Sequence, residues 1–121
     1  MPTSFRQLKV WEKSMELVEE VYRLVRKLPA DERYALSDQM RRAVVSIPSN
    51  IAEGHGRFSS REFVQFLSIA KGSLYELTTQ LFICVRVGYL TEADILQSEK
   101  LCNEIERMLS SLISRINEPK A

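Results

Sequence analysis

The sequence predicts an all-α protein, an antiparallel up-down-up-down four-helix bundle in one domain spanning residues 1–121. Four segments carry apolar residues at alternating steps of three and four, and no segment alternates polar and apolar residues as a strand does. The chain has only 4 glycines and 4 prolines, most of which fall between these segments or in the tails. A chain of 121 residues is long enough to form one core without a structural metal or disulfides.

The first two helices are predicted near residues 7–28 and 32–53, with Pro29 between them. The principal apolar stripe of the first helix consists of Leu8, Trp11, Met15, Val18, Tyr22 and Val25. The second helix has a shorter stripe, formed by Leu36, Met40, Ala43, Ile47 and Ile51. Pro48 lies within this stripe and cannot donate the usual backbone hydrogen bond, so we expect helix two to be kinked at Pro48.

The third and fourth helices are predicted near residues 60–87 and 92–117, with Gly88 between them. Ser59 or Ser60 is expected to cap the third helix, and Thr91 the fourth, because acidic residues follow in each first turn. The stripe of the third helix is Phe63, Leu67, Ala70, Leu74, Leu77, Leu81 and Cys84. The stripe of the fourth is Cys102, Ile105, Leu109, Leu112 and Ile116.

Helices one and three carry more apolar residues than one bundle needs, since a bundle helix usually buries a stripe of about three sevenths of its circumference. Exposed apolar patches of this kind usually mark an interface, so we expect a homo-oligomer joined through these two helices. The predicted interface residues are Val10, Leu17, Val21, Leu24, Phe66, Ile69 and Phe82. The alternative is that a short bundle buries these broad faces within one copy.

Gly72 lies inside the third segment, where a glycine costs roughly 1 kcal/mol relative to alanine. Together with Ala70 and Ser73 it forms a group of small residues. We therefore expect another helix to approach closely there, through Ala43 or Ala52.

Positive charge is concentrated in residues 41–61, which contain four arginines and one glutamate and so carry a local charge of +3, whereas the whole chain carries +1. The arginines are Arg41, Arg42, Arg57 and Arg61. They are our candidates for contacts to the phosphates of RNA or DNA, near the start of the third helix, whose free N–H groups favour anions. An ordinary solvated surface is the alternative, because no signature for reading bases is visible.

The sequence contains no recognisable catalytic or metal-binding motif, so we expect neither an enzyme nor a cofactor. The Glu-x-x-His pairs that a di-iron bundle requires are missing. The single histidine, His55, lies close to Glu53 and Arg57 in a glycine-containing segment, which favours a structural turn over a catalytic group.

The chain is predicted to be cytoplasmic, without a membrane span. Its longest apolar run, residues 81–85, is far shorter than the roughly 18 residues that cross a bilayer. The first residues lack the pattern of a signal peptide. Cys84 and Cys102 have apolar neighbours and no CxxC spacing, which is typical of two reduced core thiols.

The chain resembles the four-helix bundle proteins encoded in intervening sequences of bacterial 23S ribosomal RNA genes. The most specific part of the resemblance is the run Ser-Ile-Pro-Ser-Asn-Ile-Ala-Glu-Gly at residues 46–54, within a matching stretch from residue 42. The match continues through Phe63, Phe66, Leu67, Ile69, Ala70, Gly72, Ser73, Leu74, Glu76 and Leu77, and includes Leu8, Val10 and Trp11 near the start.

This resemblance implies an antiparallel four-helix bundle that assembles as a ring-shaped homopentamer and has no established enzymatic activity. The family is also similar to the accessory variability determinant of diversity-generating retroelements, a basic pentamer that binds nucleic acid and a reverse transcriptase. The resemblance therefore implies a nucleic-acid-binding or scaffold protein. The alternative is an adaptor for a polymerase-like protein partner such as a reverse transcriptase.

Overall fold

The computed structural model describes residues 2–119 and confirms the all-α prediction, since these residues form helices and no strand. The four long helices are α1 (Lys9–Val25), α2 (Leu36–His55), α3 (Ser60–Arg86) and α4 (Glu92–Ile116). Two short 3-10 helices, Phe5–Gln7 and Ala30–Glu32, lie before α1 and before α2. None of the helices in this part of the chain is long and apolar enough to cross a membrane.

The helices enclose one hydrophobic core, in which α1 packs on α2 and α4, and α3 packs on the same two helices. Lys27, just after α1, contacts Asp94 in the first turn of α4, with 3.0 Å between Nζ and Oδ1. The hydroxyl of Tyr89, just after α3, donates to Glu32, just before α2, over 2.7 Å. These contacts support the up-down-up-down order, which remains a prediction. The largest fully buried side chains are Leu17, Leu24, Met40, Ile47, Ile51, Leu67, Leu74, Leu77, Leu81, Ile95, Ile105 and Leu109.

The face of α1 that enters the core is only partly the one predicted as its principal stripe: Leu8 and Val25 are buried and Trp11 and Val18 pack against the core, but the centre of the buried face lies elsewhere. Leu17 is 0% exposed, whereas Met15 is 37% exposed and Tyr22 38% exposed. The predicted interface residues Val10, Leu17, Val21 and Leu24 are all buried within one copy. Assigning Leu17, Val21 and Leu24 to an interface is therefore wrong, because they are 0% exposed, and Val10 keeps only 4% of its surface in solvent.

The interface between α2 and α3 contains a close contact and a polar cluster. A Cβ added to Gly54 would lie 2.6 Å from Phe66 Cβ and 3.3 Å from the carbonyl oxygen of Phe63, so only a glycine fits there. Farther along, the hydroxyl oxygens of Ser46 and Ser73 are 2.8 Å apart. The Asn50 amide donates to the Ser46 hydroxyl over 2.9 Å and to the Ser46 carbonyl oxygen over 2.8 Å.

The close approach expected at Gly72 is found at Gly54 instead. A Cβ added to Gly72 meets nothing within 4 Å, so within one copy the Gly72 prediction is wrong. Pro48 lies inside α2, which continues across it without a break, and its side chain is buried. The kink at Pro48 remains a prediction.

The beginnings of α3 and α4 confirm the predicted caps. The Ser59 hydroxyl accepts from the Glu62 N–H. The Thr91 hydroxyl accepts from the Asp94 N–H, while the Asp94 carboxylate accepts from the Thr91 N–H, which completes a capping box. Gly88 ends the preceding helix with a φ of 87°, a conformation that favours glycine.

Replacing Thr91 with alanine removes the hydroxyl of this box, and we expect the free energy of unfolding to fall by about 1 kcal/mol. Urea unfolding followed by circular dichroism measures the change. Ser68→Ala, an exposed position in the middle of α3, serves as the control and should leave stability unchanged or slightly raised. Equal stabilities of the Thr91→Ala variant and the unmodified protein would contradict the role of the cap.

The capping box also makes stability depend on pH. The hydrogen bond from the Thr91 N–H, followed by that from Lys27, holds the pKa of Asp94 below its ordinary value. A lowered pKa in the folded state means that the charged carboxylate stabilises the fold. That contribution is present above the ordinary pKa of aspartate and is lost as the pH falls through the lowered value.

Candidate interaction surfaces

The structure does not bring the four candidate arginines together. Arg41 and Arg42 lie in the second turn of α2, whereas Arg57 and Arg61 lie beyond its far end. Since a helix rises about 1.5 Å per residue, the two pairs are separated by roughly 20 Å along α2. The expectation of one basic cluster at residues 41–61 is therefore wrong.

The pair at the start of α2 is partly engaged by groups of the same chain. Arg42 Nε lies 3.0 Å from Asp38 Oδ2, one helical turn earlier. An Arg41 guanidinium nitrogen donates to the carbonyl oxygen of Arg33 over 3.3 Å. The local charge of +3 was counted over residues 41–61 and so excluded Asp38. The positive charge at this end of α2 is therefore lower than predicted.

The second pair lies around the α2–α3 turn, residues 56–59. Arg57 is 3.0 Å from Glu53 Oε1, and its guanidinium carbon lies 4.8 Å from the centre of the Phe66 ring. Phe58, between the two arginines, is fully exposed, and Arg61 is exposed in the first turn of α3. Phe58 is not among the site residues predicted from the sequence. An aromatic residue between two arginines, in a segment of glycines and serines, is the signal that would have found it.

His55 has a structural environment. Its Nε2 donates to the carbonyl oxygen of Pro2 over 2.9 Å, and its ring meets Phe63 edge-on, with 5.8 Å between ring centres. Glu53 pairs with Arg57 instead of with the imidazole. Glu53, His55 and Arg57 therefore do not form one catalytic group: Glu53 pairs with Arg57, and His55 bonds to Pro2.

An apolar depression of about 370 Å³ lies between α1 and α2, and we call it the α1–α2 groove. It contains no charged residue, and the small residues Ser49 and Ala52 form part of its α2 side. Trp11, Met15 and Val18, which the sequence analysis placed in the core stripe, form its α1 side. Its lining residues are Phe5, Trp11, Met15, Val18, Val45, Pro48, Ser49 and Ala52.

The outward side of α3 also carries exposed apolar side chains, and we call it the α3 outer face: Ile69, Gly72, Glu76, Thr79, Phe82 and Ile83. Ile69 is 51% exposed and Phe82 46% exposed. Phe66, which was predicted to lie in the same interface, is half-buried beside Gly54 and Arg57. The bundle therefore leaves large apolar side chains of α3 in contact with solvent.

A second depression of about 740 Å³, the α1–α4 groove, lies where the start of α1 meets the last turns of α4. Its apolar lining includes Leu8, Val10, Met108, Leu112 and Ile116. Three cations, Lys9, Arg107 and Arg115, also line it. Its single carboxylate, Glu104, is held by Lys13 over 3.3 Å.

Both cysteines are buried, and burial raises the pKa of the Cys84 thiol and of the Cys102 thiol to about 11. Within residues 2–119, no group of three or more histidine, cysteine, aspartate or glutamate side chains is placed to hold a metal ion. The two thiols are therefore protonated, poorly reactive core groups at neutral pH.

Comparisons with known proteins found a family and a solved structure that match this chain. The family model of the 23S rRNA-intervening sequence protein matches residues 6–111. A solved structure from Bacteroides thetaiotaomicron, described as a protein of unknown function from the S23 ribosomal protein family, is 28% identical. It matches with a TM-score of 0.78 over 86% of this chain and 97% of its own. No curated protein matches the chain.

Proposed function

The chain belongs to the 23S rRNA-intervening sequence protein family, and from this premise we propose that it is a non-enzymatic scaffold that assembles as a homopentamer. The observation that carries the proposal is the apolar surface that one bundle leaves uncovered, on the α1–α2 groove and the α3 outer face. Exposed apolar patches of this kind mark protein interfaces. We place the scaffold in the cytoplasm, where buried thiols such as Cys84 and Cys102 stay reduced.

The mass of the native assembly tests this proposal. Light scattering coupled to size exclusion should give five times the mass of the chain at micromolar concentration. Ile69→Glu combined with Phe82→Glu places charges on the α3 outer face and should shift the protein to smaller species with unchanged helical content. Gln97→Glu, an exposed position on α4, is the control and should keep the native mass. A monomer from the unmodified chain would refute the scaffold.

Single-stranded RNA is the ligand that we propose for the scaffold. Phe58 is fully exposed at the α2–α3 turn with Arg57 and Arg61 on either side, and this combination suits a stacked base with neighbouring phosphates. The contact from one copy is weak, because Glu53 already engages Arg57. Five copies on one strand would gain affinity through a high effective concentration.

Fluorescence anisotropy with a labelled single-stranded RNA tests this ligand. Binding should weaken steeply between about 50 and about 200 mM salt, because phosphate contacts release counterions. Phe58→Ala should weaken binding by about tenfold, given that stacking on an aromatic ring contributes roughly 1 to 3 kcal/mol. Arg42→Gln, at the other end of α2, should have little effect and serves as the control. If Phe58→Ala binds as well as the unmodified protein, the α2–α3 turn is not the RNA site.

A protein adaptor, for a polymerase-like partner such as a reverse transcriptase, is the second candidate, and the α1–α4 groove favours it. The groove has a volume of about 740 Å³ and a largely apolar lining. Contacts through such a lining depend little on ionic strength, in contrast to phosphate contacts. Sequencing the RNA that copurifies with the native protein, and repeating the purification at high salt, distinguishes the two candidates.

A further inference from the structure

We infer that the α1–α2 groove of one copy receives the α3 outer face of the next copy. This inference rests on the proposed function, because it names the two surfaces that would join the pentamer. The starting point is that one molecule presents two uncovered apolar surfaces of different shape, on different helices. The occupant of the groove is thus a second copy of this chain.

The shapes of the two surfaces favour this pairing. The groove is a depression whose α2 side is low, because Ser49 and Ala52 have small side chains. The α3 outer face is a ridge from which Ile69, Phe82 and Ile83 project into solvent. Two grooves facing each other would enclose a void, which is unfavourable because apolar surfaces are stabilised by close packing. A ridge in a groove fills the space instead.

The charges of the two surfaces point the same way. The eight residues that line the groove include no ionisable side chain. On the α3 outer face Glu76 is charged, and the exposed Arg86 lies one turn beyond Phe82 at its edge. Burying these surfaces together therefore involves two charges of opposite sign at most, whereas the α1–α4 groove would bury three cations with one paired carboxylate. Interface cores are depleted of charge for this reason.

Gly72 lies in the middle of the α3 outer face and fits this contact. Its own bundle gives no reason for a glycine, because an added Cβ would meet nothing within 4 Å. A glycine in a helix costs roughly 1 kcal/mol relative to alanine, so a reason outside the single copy is required. A neighbouring chain that approaches the α3 backbone at Gly72 supplies one.

Joining two different surfaces has a geometric consequence. A contact between unlike patches is heterologous, and repetition of such a contact closes a ring when the rotation allows it. A contact between like patches pairs only two copies. The groove and ridge arrangement is therefore the kind of contact that a five-membered ring needs.

Paired cysteine substitutions test the contact. A chain that carries both Ser49→Cys, in the groove, and Thr79→Cys, on the α3 outer face, is treated with a short bismaleimide under native conditions. We expect a ladder of covalent species that ends at five copies on a denaturing gel. The natural thiols are buried, with pKa values of about 11, so the unmodified protein should give no ladder. The pair Ser49→Cys and Gln97→Cys places the second thiol on α4 and is the matched control.

The outcomes separate this inference from the proposed function. If the unmodified protein is a pentamer by light scattering but the Ser49 and Thr79 pair gives no ladder, the inference is wrong and the scaffold proposal stands. If either single cysteine variant gives cross-linked dimers, like patches meet and the inference is again overturned. If the unmodified protein is a monomer, the proposed function itself fails.

Discussion

Replacing Leu17 with alanine should lower the free energy of unfolding by about 3 to 5 kcal/mol, one of the two largest effects that we expect. Leu17 is 0% exposed and lies in the centre of the core, so the shorter side chain leaves a cavity that the surrounding helices fill only in part. Urea unfolding at one fixed protein concentration measures the change. The sequence pattern alone placed Leu17 at an interface, so this substitution also tests which face of α1 enters the core.

Met15→Ala is the matched control, since Met15 lies in the same helix and is 37% exposed. We expect it to lower the stability of one copy by about 1 kcal/mol, clearly less than Leu17→Ala, because more than a third of the Met15 surface already lies in water in the folded chain. It should affect assembly more than folding. If Leu17→Ala unfolds at the same urea concentration as the unmodified protein, the orientation of α1 described above is incorrect.

Gly54→Ala should lower the free energy of unfolding by about 2 kcal/mol, although alanine is the better helix former. The added Cβ would lie 2.6 Å from Phe66 Cβ and 3.3 Å from the Phe63 carbonyl oxygen. Neither atom is the free end of a flexible side chain, so α3 itself must move away from α2. Thermal unfolding followed by circular dichroism measures the loss.

Gly56→Ala is the control for this substitution, because Gly56 follows Gly54 by two residues, at the C-terminal end of α2. A Cβ added there meets its nearest atom, the Glu53 carbonyl oxygen, at an ordinary distance of 3.5 Å. Its φ of −80° suits alanine, so stability should be unchanged or slightly higher. A Gly54→Ala variant as stable as Gly56→Ala would show that α2 and α3 are not held as closely as described.

The number and approximate extent of the helices could be predicted from the sequence because local signals mark them. Ser59 and Thr91 accept hydrogen bonds from backbone N–H groups a few residues away, and Gly88 adopts a positive φ. Each lies at a helix end as expected. The start of the second helix was less predictable. Residues 30–32 form a 3-10 turn, and the Glu32 side chain accepts from the Leu36 N–H, so α2 begins at Leu36 instead of near residue 32.

The surfaces were harder to predict, because they depend on which helix lies beside which. Both apolar stripes of α1 have helical spacing, so periodicity cannot decide whether Leu17 or Met15 faces the core. The sequence places Gly54 just after the predicted second helix and Gly72 inside the third, and only the position of Phe66 shows that the close contact is at Gly54. The arginines of residues 41–61 are close in sequence, but an intact α2 holds the two pairs at its opposite ends.

The polar cluster of Ser46, Asn50 and Ser73 fixes the axial register of α2 against α3. Apolar side chains tolerate sliding, because one methyl group can replace another in the same gap. If α2 slid by one helical turn along α3, the contact between the two serine hydroxyls, now 2.8 Å, would be lost in a partly buried region. The cost of leaving such groups without a partner penalises slipped alignments and so selects one pairing of the two helices.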